Sequence, residues 1–180
     1  MPESHVHVLA VAGPAGVGKS TLGWEISAQL RQAGMAHVVL DSDELDRAWP
    51  LSDAEQEALN RANLSAFWAN VSALGHSRLI LVGVFLNPEA SRDWIETAIP
   101  HASVTRVVLE ASDDELERRV RAREIGSGVE DQLRRTLAQA RRFRRRTAGM
   151  PDVLDTEGAA VADLARQAIE RAGWADPSSH

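Results

Sequence analysis

Residues Gly13 to Thr21 read GPAGVGKST, and this short stretch concentrates one kind of chemistry. Its glycines allow successive backbone N–H groups to turn inward around an anion where a β-carbon would block the approach. Lys19 adds a compact ammonium that reaches the β- and γ-phosphates of a nucleoside triphosphate, and the Ser20 hydroxyl suits Mg²⁺. Gly13, Ala15, Gly16, Val17, Gly18, Lys19, Ser20 and Thr21 are therefore the expected phosphate-binding set. The chain carries 19 arginines and a single lysine, Lys19. A planar, forked guanidinium does not fit that slot, so the exception falls where geometry forbids the rule.

The same glycines resemble a dinucleotide-binding turn, with Asp41 at about the right distance for a ribose. Lys19-Ser20-Thr21 argues against it, because such a turn has no use for a lysine–hydroxyl pair. A single lysine also excludes the N-K-x-D motif that reads guanine in signalling GTPases. A second constellation lies in VVLDSDELD, where Asp41 and Asp43 flank a serine as a strand gives way to a turn. Two carboxylates at that spacing can serve a magnesium shell and an acceptor hydroxyl. Either can also simply cap the turn that follows.

These groups need a scaffold, and the hydrophobic pattern supplies one. Short β-rich runs alternate with amphipathic stretches, which predicts βαβ units and a parallel sheet. The expected strands are 5–12, 37–40, 78–85, 104–110 and 153–155; the expected helices are 19–33, 53–74, 88–99, 113–123, 130–146 and 159–172. Ser52 with Glu55 and Ser112 with Glu115 fit capping boxes, and Gly34 and Gly75 fit helix ends. At 180 residues one domain is expected over 1–174, with a tail at 175–180. No apolar run approaches the roughly 20 residues of a bilayer span. The absence of cysteine and of a signal-peptide pattern points to a cytoplasmic protein. The net charge of -6 argues against general nucleic-acid binding.

With GPAGVGKST, LDSD after the second strand, ELERRVRARE after the fourth and VLDT before the last helix, the chain resembles the small P-loop kinases. These include shikimate, gluconate, adenylylsulfate and nucleoside monophosphate kinases, with chloramphenicol phosphotransferase-like and zeta-toxin-like kinases nearby. It is also similar to actinobacterial proteins described as ATP-binding. The resemblance implies a three-layer α/β sandwich of the P-loop NTPase type, with five parallel strands in the order 2-3-1-4-5 and a short lid. It implies that Asp41 assists the metal and that Asp43 faces the accepting hydroxyl. It places a substrate-binding helical region at about 44–75 and a lid at about 123–131. Where shikimate kinases carry three glycines after strand three, this chain has VGVFLNPEASRDW, which argues against shikimate.

Eleven arginines lie between Arg118 and Arg146. In the resembled kinases this region brings arginines to the phosphates, so Arg119 and Arg123 are the expected catalytic and nucleotide-binding ones, with Arg135 beside them. The same residues can form a solvated face of i, i+4 pairs, or, over 141–146, a nucleic-acid contact. On the acceptor side Arg47, Arg61, Asn87 and Arg92 are candidate substrate ligands, joined by Asn60. Leu59, Ala62, Ala66, Ala69 and Ala73 form a small-residue face for packing, and Trp49, Phe67 and Trp68 can line a pocket or fill the core. By the same resemblance Asp155 and Thr156 hold the nucleobase edge, although Thr156 can equally cap the last helix.

The expected activity is Mg²⁺-dependent transfer of the γ-phosphoryl group of ATP or GTP to a hydroxyl of a small metabolite or antibiotic, as a monomer or homodimer. The contrasting expectation is a nucleotide-binding regulatory or interaction module with little transfer.

Overall fold

A computed structural model describes residues 5–45, 47–83, 85, 88–123 and 128–175. Five strands, β1 (Val6–Ala12), β2 (Val38–Asp41), β3 (Arg78–Gly83), β4 (Ala102–Glu110) and β5 (Val153–Asp155), form one parallel sheet in the order β2-β3-β1-β4-β5. The helices are α1 (Lys19–Gln32), α2 (Asp53–Ser72), α3 (Pro88–Ala98), α4 (Asp113–Arg123), α5 (Val129–Thr147) and α6 (Val161–Arg171). This is the expected α/β sandwich and strand order, with each element within a few residues of its expected bounds.

The pattern explains the layering. β1 and β3 are apolar at nearly every position because both faces of the sheet are covered. Leu9, Val11, Ile80 and Val82 point into one core with Leu22 and Ile26 of α1 and Ala165 and Ala168 of α6. Val8, Ala10, Leu79 and Leu81 point into the other, with Leu64 and Trp68 of α2, Ile95 of α3 and Phe143 of α5. Helix α5 joins both cores, since Ala140 belongs to the first and Phe143 to the second.

Several local expectations hold and three are corrected. Ser52 and Glu55 form the full capping box on α2, and Gly34 and Gly75 turn with positive φ just past α1 and α2. On α4 only half the box exists: Ser112 Oγ accepts from the Glu115 amide, but the Glu115 carboxylate goes to Arg118 and Arg119. Glu157 takes its place and accepts from the Ser112 amide at 3.3 Å. The small-residue face of α2 does not pack: Ala62, Ala66, Ala69 and Ala73 are exposed, and Leu59 is only half-buried. The helix instead buries Leu64 and Trp68, larger side chains that remove more apolar surface per contact. Thr156 is not the cap of the last helix, because α6 begins after Ala160.

Candidate active site

The phosphate loop leaves β1 at Ala12 and enters α1 at Lys19. Gly16 (φ 76°) and Gly18 (φ 107°) hold left-handed backbone there, where a β-carbon would be strained. A cavity of about 460 Å³ opens on this turn. It is walled by the loop from Ala15 to Thr21, by Asp41 and Asp43, and by Arg119, Gln132 and Thr156. Leu109, Val120, Ala159, Val161 and Leu164 supply an apolar side.

Lys19 Nζ donates to the Pro14 carbonyl at 3.0 Å, so its ammonium is folded over the cradle. Ser20 Oγ donates to Asp41 Oδ2 at 2.9 Å, and Asp41 Oδ1 accepts from the Asp43 amide at 3.2 Å. Asp41 therefore does two things: it caps the 3-10 turn Ser42–Glu44 and it meets the hydroxyl of the phosphate loop. Asp43 is exposed at the cavity wall. The hard oxygens of Ser20 and Asp41 are a donor pair suited to magnesium, which takes one or two protein oxygens besides phosphate and water.

β3 lies between β1 and β2, so this pairing must reach across its end. Gly83 makes that approach feasible. A β-carbon there would overlap Ser42 Oγ and sit 2.8 Å from the Phe85 ring, so the glycine leaves room for the Ser42 side chain of the turn that carries Asp41 and Asp43.

Arg119 closes the opposite wall. Its guanidinium donates to the Val17 carbonyl at 2.9 Å, to Thr156 Oγ1 at 3.0 Å and to the Thr156 carbonyl at 3.2 Å, while Nε donates to Glu115 at 2.6 Å. Thr156 Oγ1 in turn donates to the Glu110 carbonyl at 3.1 Å. One arginine thus clamps the phosphate loop to the segment after β5. Glu115 receives both Arg118 and Arg119, and the Arg118 bond foremost holds its carboxyl at a pKa of about 2, well below the usual value.

The other expected residues are distributed differently. Asp155 lies beside the cavity but its carboxylate accepts from the Glu157 amide at 2.8 Å, an Asx-type turn within the loop. Arg47 bonds Glu44 and the Asp43 carbonyl, near Asp43 yet outside the cavity wall. Arg61 is exposed on α2. Arg92 lines a second cavity of about 570 Å³ with Phe85, Arg106 and Asp152, and does not line the cavity at the phosphate loop. Asn87 lies outside the described residues, as do 124–127 of the expected lid and the side chain of Arg123.

Arg118 and Arg121 pair with Glu115, Glu117 and Glu130, an arrangement of the solvated-face kind. Arg135 is exposed on α5. Phe143 is buried, so it offers no stacking platform beside Arg141–Arg146. Trp49 is 92% exposed, whereas Phe67 is half-buried and Trp68 is core. Sequence reasoning missed Gln132 and Gln139, whose spacing on a helix read only for its arginines was the available signal.

A family model described as an AAA domain matches residues 8–150. No curated protein matches the chain. Among solved structures it is similar to a gluconokinase from Sinorhizobium meliloti 1021, at 18% identity and a TM-score of 0.59 over 93% of this chain and 91% of that one. A tunicamycin resistance protein from Deinococcus radiodurans aligns at 18% identity and a TM-score of 0.60, covering 94% and 96%. The APS kinase of Mycobacterium tuberculosis, solved with AMPPNP and APS, aligns at 18% and 0.57, covering 93% and 97%. At these identities the likeness is one of fold, and the fold is that of the small P-loop kinases.

Proposed function

The chain belongs to the AAA-domain family, and from that premise we propose that it is a small-molecule kinase moving the γ-phosphoryl group of ATP or GTP to a hydroxyl. The observation that carries this reading is the Ser20–Asp41 contact, which brings the end of β2 to the mouth of the phosphate loop and leaves Asp43 facing the same cavity.

In this reading the amides of the loop and the Lys19 ammonium neutralise the β- and γ-phosphates. Ser20 and Asp41 would hold Mg²⁺, which would supply screening of the charge on the triphosphate. Asp43 orients the acceptor and takes its proton. The acceptor oxygen bonds to the γ-phosphorus as the bond to the β,γ-bridging oxygen breaks, leaving a nucleoside diphosphate. Arg119 and Thr156 fix the nucleoside end against Leu109, Val120 and Leu164. Arg123, at the end of α4, is assigned to the lid that covers the phosphates. Arg47, Arg61, Asn87 and Arg92 are assigned to the acceptor side, Arg47 being the nearest of them to Asp43 in sequence and in contact. The acceptor is a small metabolite or an antibiotic; the resistance protein among the similar folds keeps the second class in view.

The test is acceptor-dependent diphosphate formation across a panel of hydroxyl compounds. Lys19→Met is expected to lower kcat by about 10³-fold or more. Asp43→Asn is expected to lower it by roughly 10²-fold with nucleotide affinity retained. Tight nucleotide binding with no transfer to any acceptor would instead make the chain a nucleotide-binding module.

A further inference from the structure

The amide of Ala15, in the first half of the phosphate loop, donates to Gln139 Oε1 at 2.6 Å, across 124 positions of sequence. Backbone N–H groups of such a loop are phosphate ligands. Here a neutral side chain of α5 accepts one of them.

Gln139 belongs to a stripe. Gln132, Thr136 and Gln139 are spaced by four and three residues, which places them along one side of α5. Gln132 lines the cavity, and Thr136 is fully buried with a hydroxyl that meets no partner among the described residues. Burying polar groups is costly unless they are used. The helix is also tied to α4, the helix of Arg119: Arg144 pairs with Asp113, and Arg141 approaches the same carboxylate at 3.5 Å.

We propose that Gln139 is a positioning residue that senses the terminal phosphoryl group of the nucleotide and ties the setting of α5 to it. A carboxamide has two ends of nearly equal shape, a carbonyl that accepts and an NH₂ that donates, joined by a soft terminal torsion. A phosphate oxygen is charged, and an N–H bonded to it makes a hydrogen bond about twice as strong as one to a neutral carbonyl. The terminal phosphoryl takes the Ala15 N–H, and the released carboxamide turns its NH₂ end to the same phosphoryl group. A diphosphate is too short to do so and leaves the Ala15–Gln139 bond in place. The inference rests on the kinase reading and deepens it, by assigning triphosphate-over-diphosphate preference to a residue outside the glycine loop.

The test is calorimetric titration of the full chain with ADP and GDP and with their β,γ-imido triphosphate analogues, all with Mg²⁺. Gln139→Met keeps length and helix propensity but removes donor and acceptor. Gln139→Glu keeps the acceptor for Ala15 and puts negative charge against the phosphoryl group. The Met variant is expected to lose about tenfold of the triphosphate preference, the worth of the charge-assisted bond less that of the neutral Ala15 bond given up for it, with diphosphate affinity nearly unchanged. The Glu variant is expected to weaken the triphosphate further still. An unchanged preference in both variants overturns the proposal. Equal losses for both nucleotides together with a lowered Tm also overturn it, because they assign Gln139 to packing alone. If the unaltered chain binds no nucleotide, the kinase reading fails and this inference with it; if it binds and the variants keep its preference, this inference fails alone.

Discussion

The proposed donor and acceptor sides of the candidate site are built by different means. At the proposed donor end the main polar groups are held by neighbours: Arg119 has four hydrogen bonds, Asp41 two, and the loop amide of Ala15 a partner on α5. On the proposed acceptor side, beyond the cavity wall, the side chains are exposed: Arg47 and Glu44 form a solvent-facing pair, Arg61 is exposed on α2, and Trp49 is almost entirely free of the protein. A pre-assembled donor end costs little reorganisation when a nucleotide arrives, which is the physical requirement for electrostatic catalysis. An open acceptor end is shaped by what it receives.

The donor side is most sensitive at Arg119. Its guanidinium joins the Val17 carbonyl to Thr156, so its removal should disconnect the phosphate loop from the segment after β5, the proposed nucleoside wall. Arg119→Met is expected to weaken nucleotide binding on the order of 10- to 100-fold, the worth of one or two hydrogen bonds from a charged donor. Acceptor KM should move little. Titration of nucleotide and steady-state kinetics on the same variant give both numbers. A loss confined to acceptor KM would reverse the assignment of the two ends.

A gentler perturbation of the same end uses pH. Arg118 first, and then Arg119, hold the Glu115 carboxyl at about 2 against an ordinary 4.5. A folded-state value below the unfolded one means the ionised carboxylate contributes stability in full above about pH 4.5, and that this contribution fades as pH falls towards 2. Urea unfolding from neutral pH down to about pH 3 should therefore show the unaltered chain losing more stability than Glu115→Gln over this acid interval. Parallel acid limbs in the two proteins would mean that Glu115 does not hold Arg119 in solution.

The same division decides what could be read from the sequence. The donor end was legible because backbone geometry dictates residue type: positive φ at Gly16 and Gly18 demands glycine, and the slot of Lys19 rejects arginine. The sheet was legible because its strands are apolar on both faces, and Asp41 and Asp43 fell at a strand end where ligands collect. Long polar side chains on helices were harder. Arg92 lines the second cavity with Arg106 and Asp152 and not the cavity at the phosphate loop, because helix periodicity sets a face and not what that face meets. Gly83 carried no motif, since its necessity comes from Ser42, a residue 41 positions earlier. Gln139 was hidden for the same reason, its partner lying 124 positions away. The alanines of α2 misled because spacing alone does not distinguish a packed stripe from an exposed one, and here Trp68 took the buried place.

The smallest effect is expected at Trp49, which sharpens the contrast from the acceptor side. At 92% exposure the side chain contributes little packing, so Trp49→Ala should change stability by less than about 0.5 kcal/mol. Nucleotide affinity should be unaltered, since Trp49 does not line the donor cavity. An indole that covers a bound acceptor with about half its surface would contribute about 1–2 kcal/mol, so acceptor KM should rise on the order of tenfold in the variant. Kinetics with the best acceptor from the panel, run beside thermal unfolding, separate these quantities. A variant with unchanged acceptor KM would show that the indole takes no part in holding the acceptor, and would leave Asp43 and Arg47 as the groups that define that end of the site.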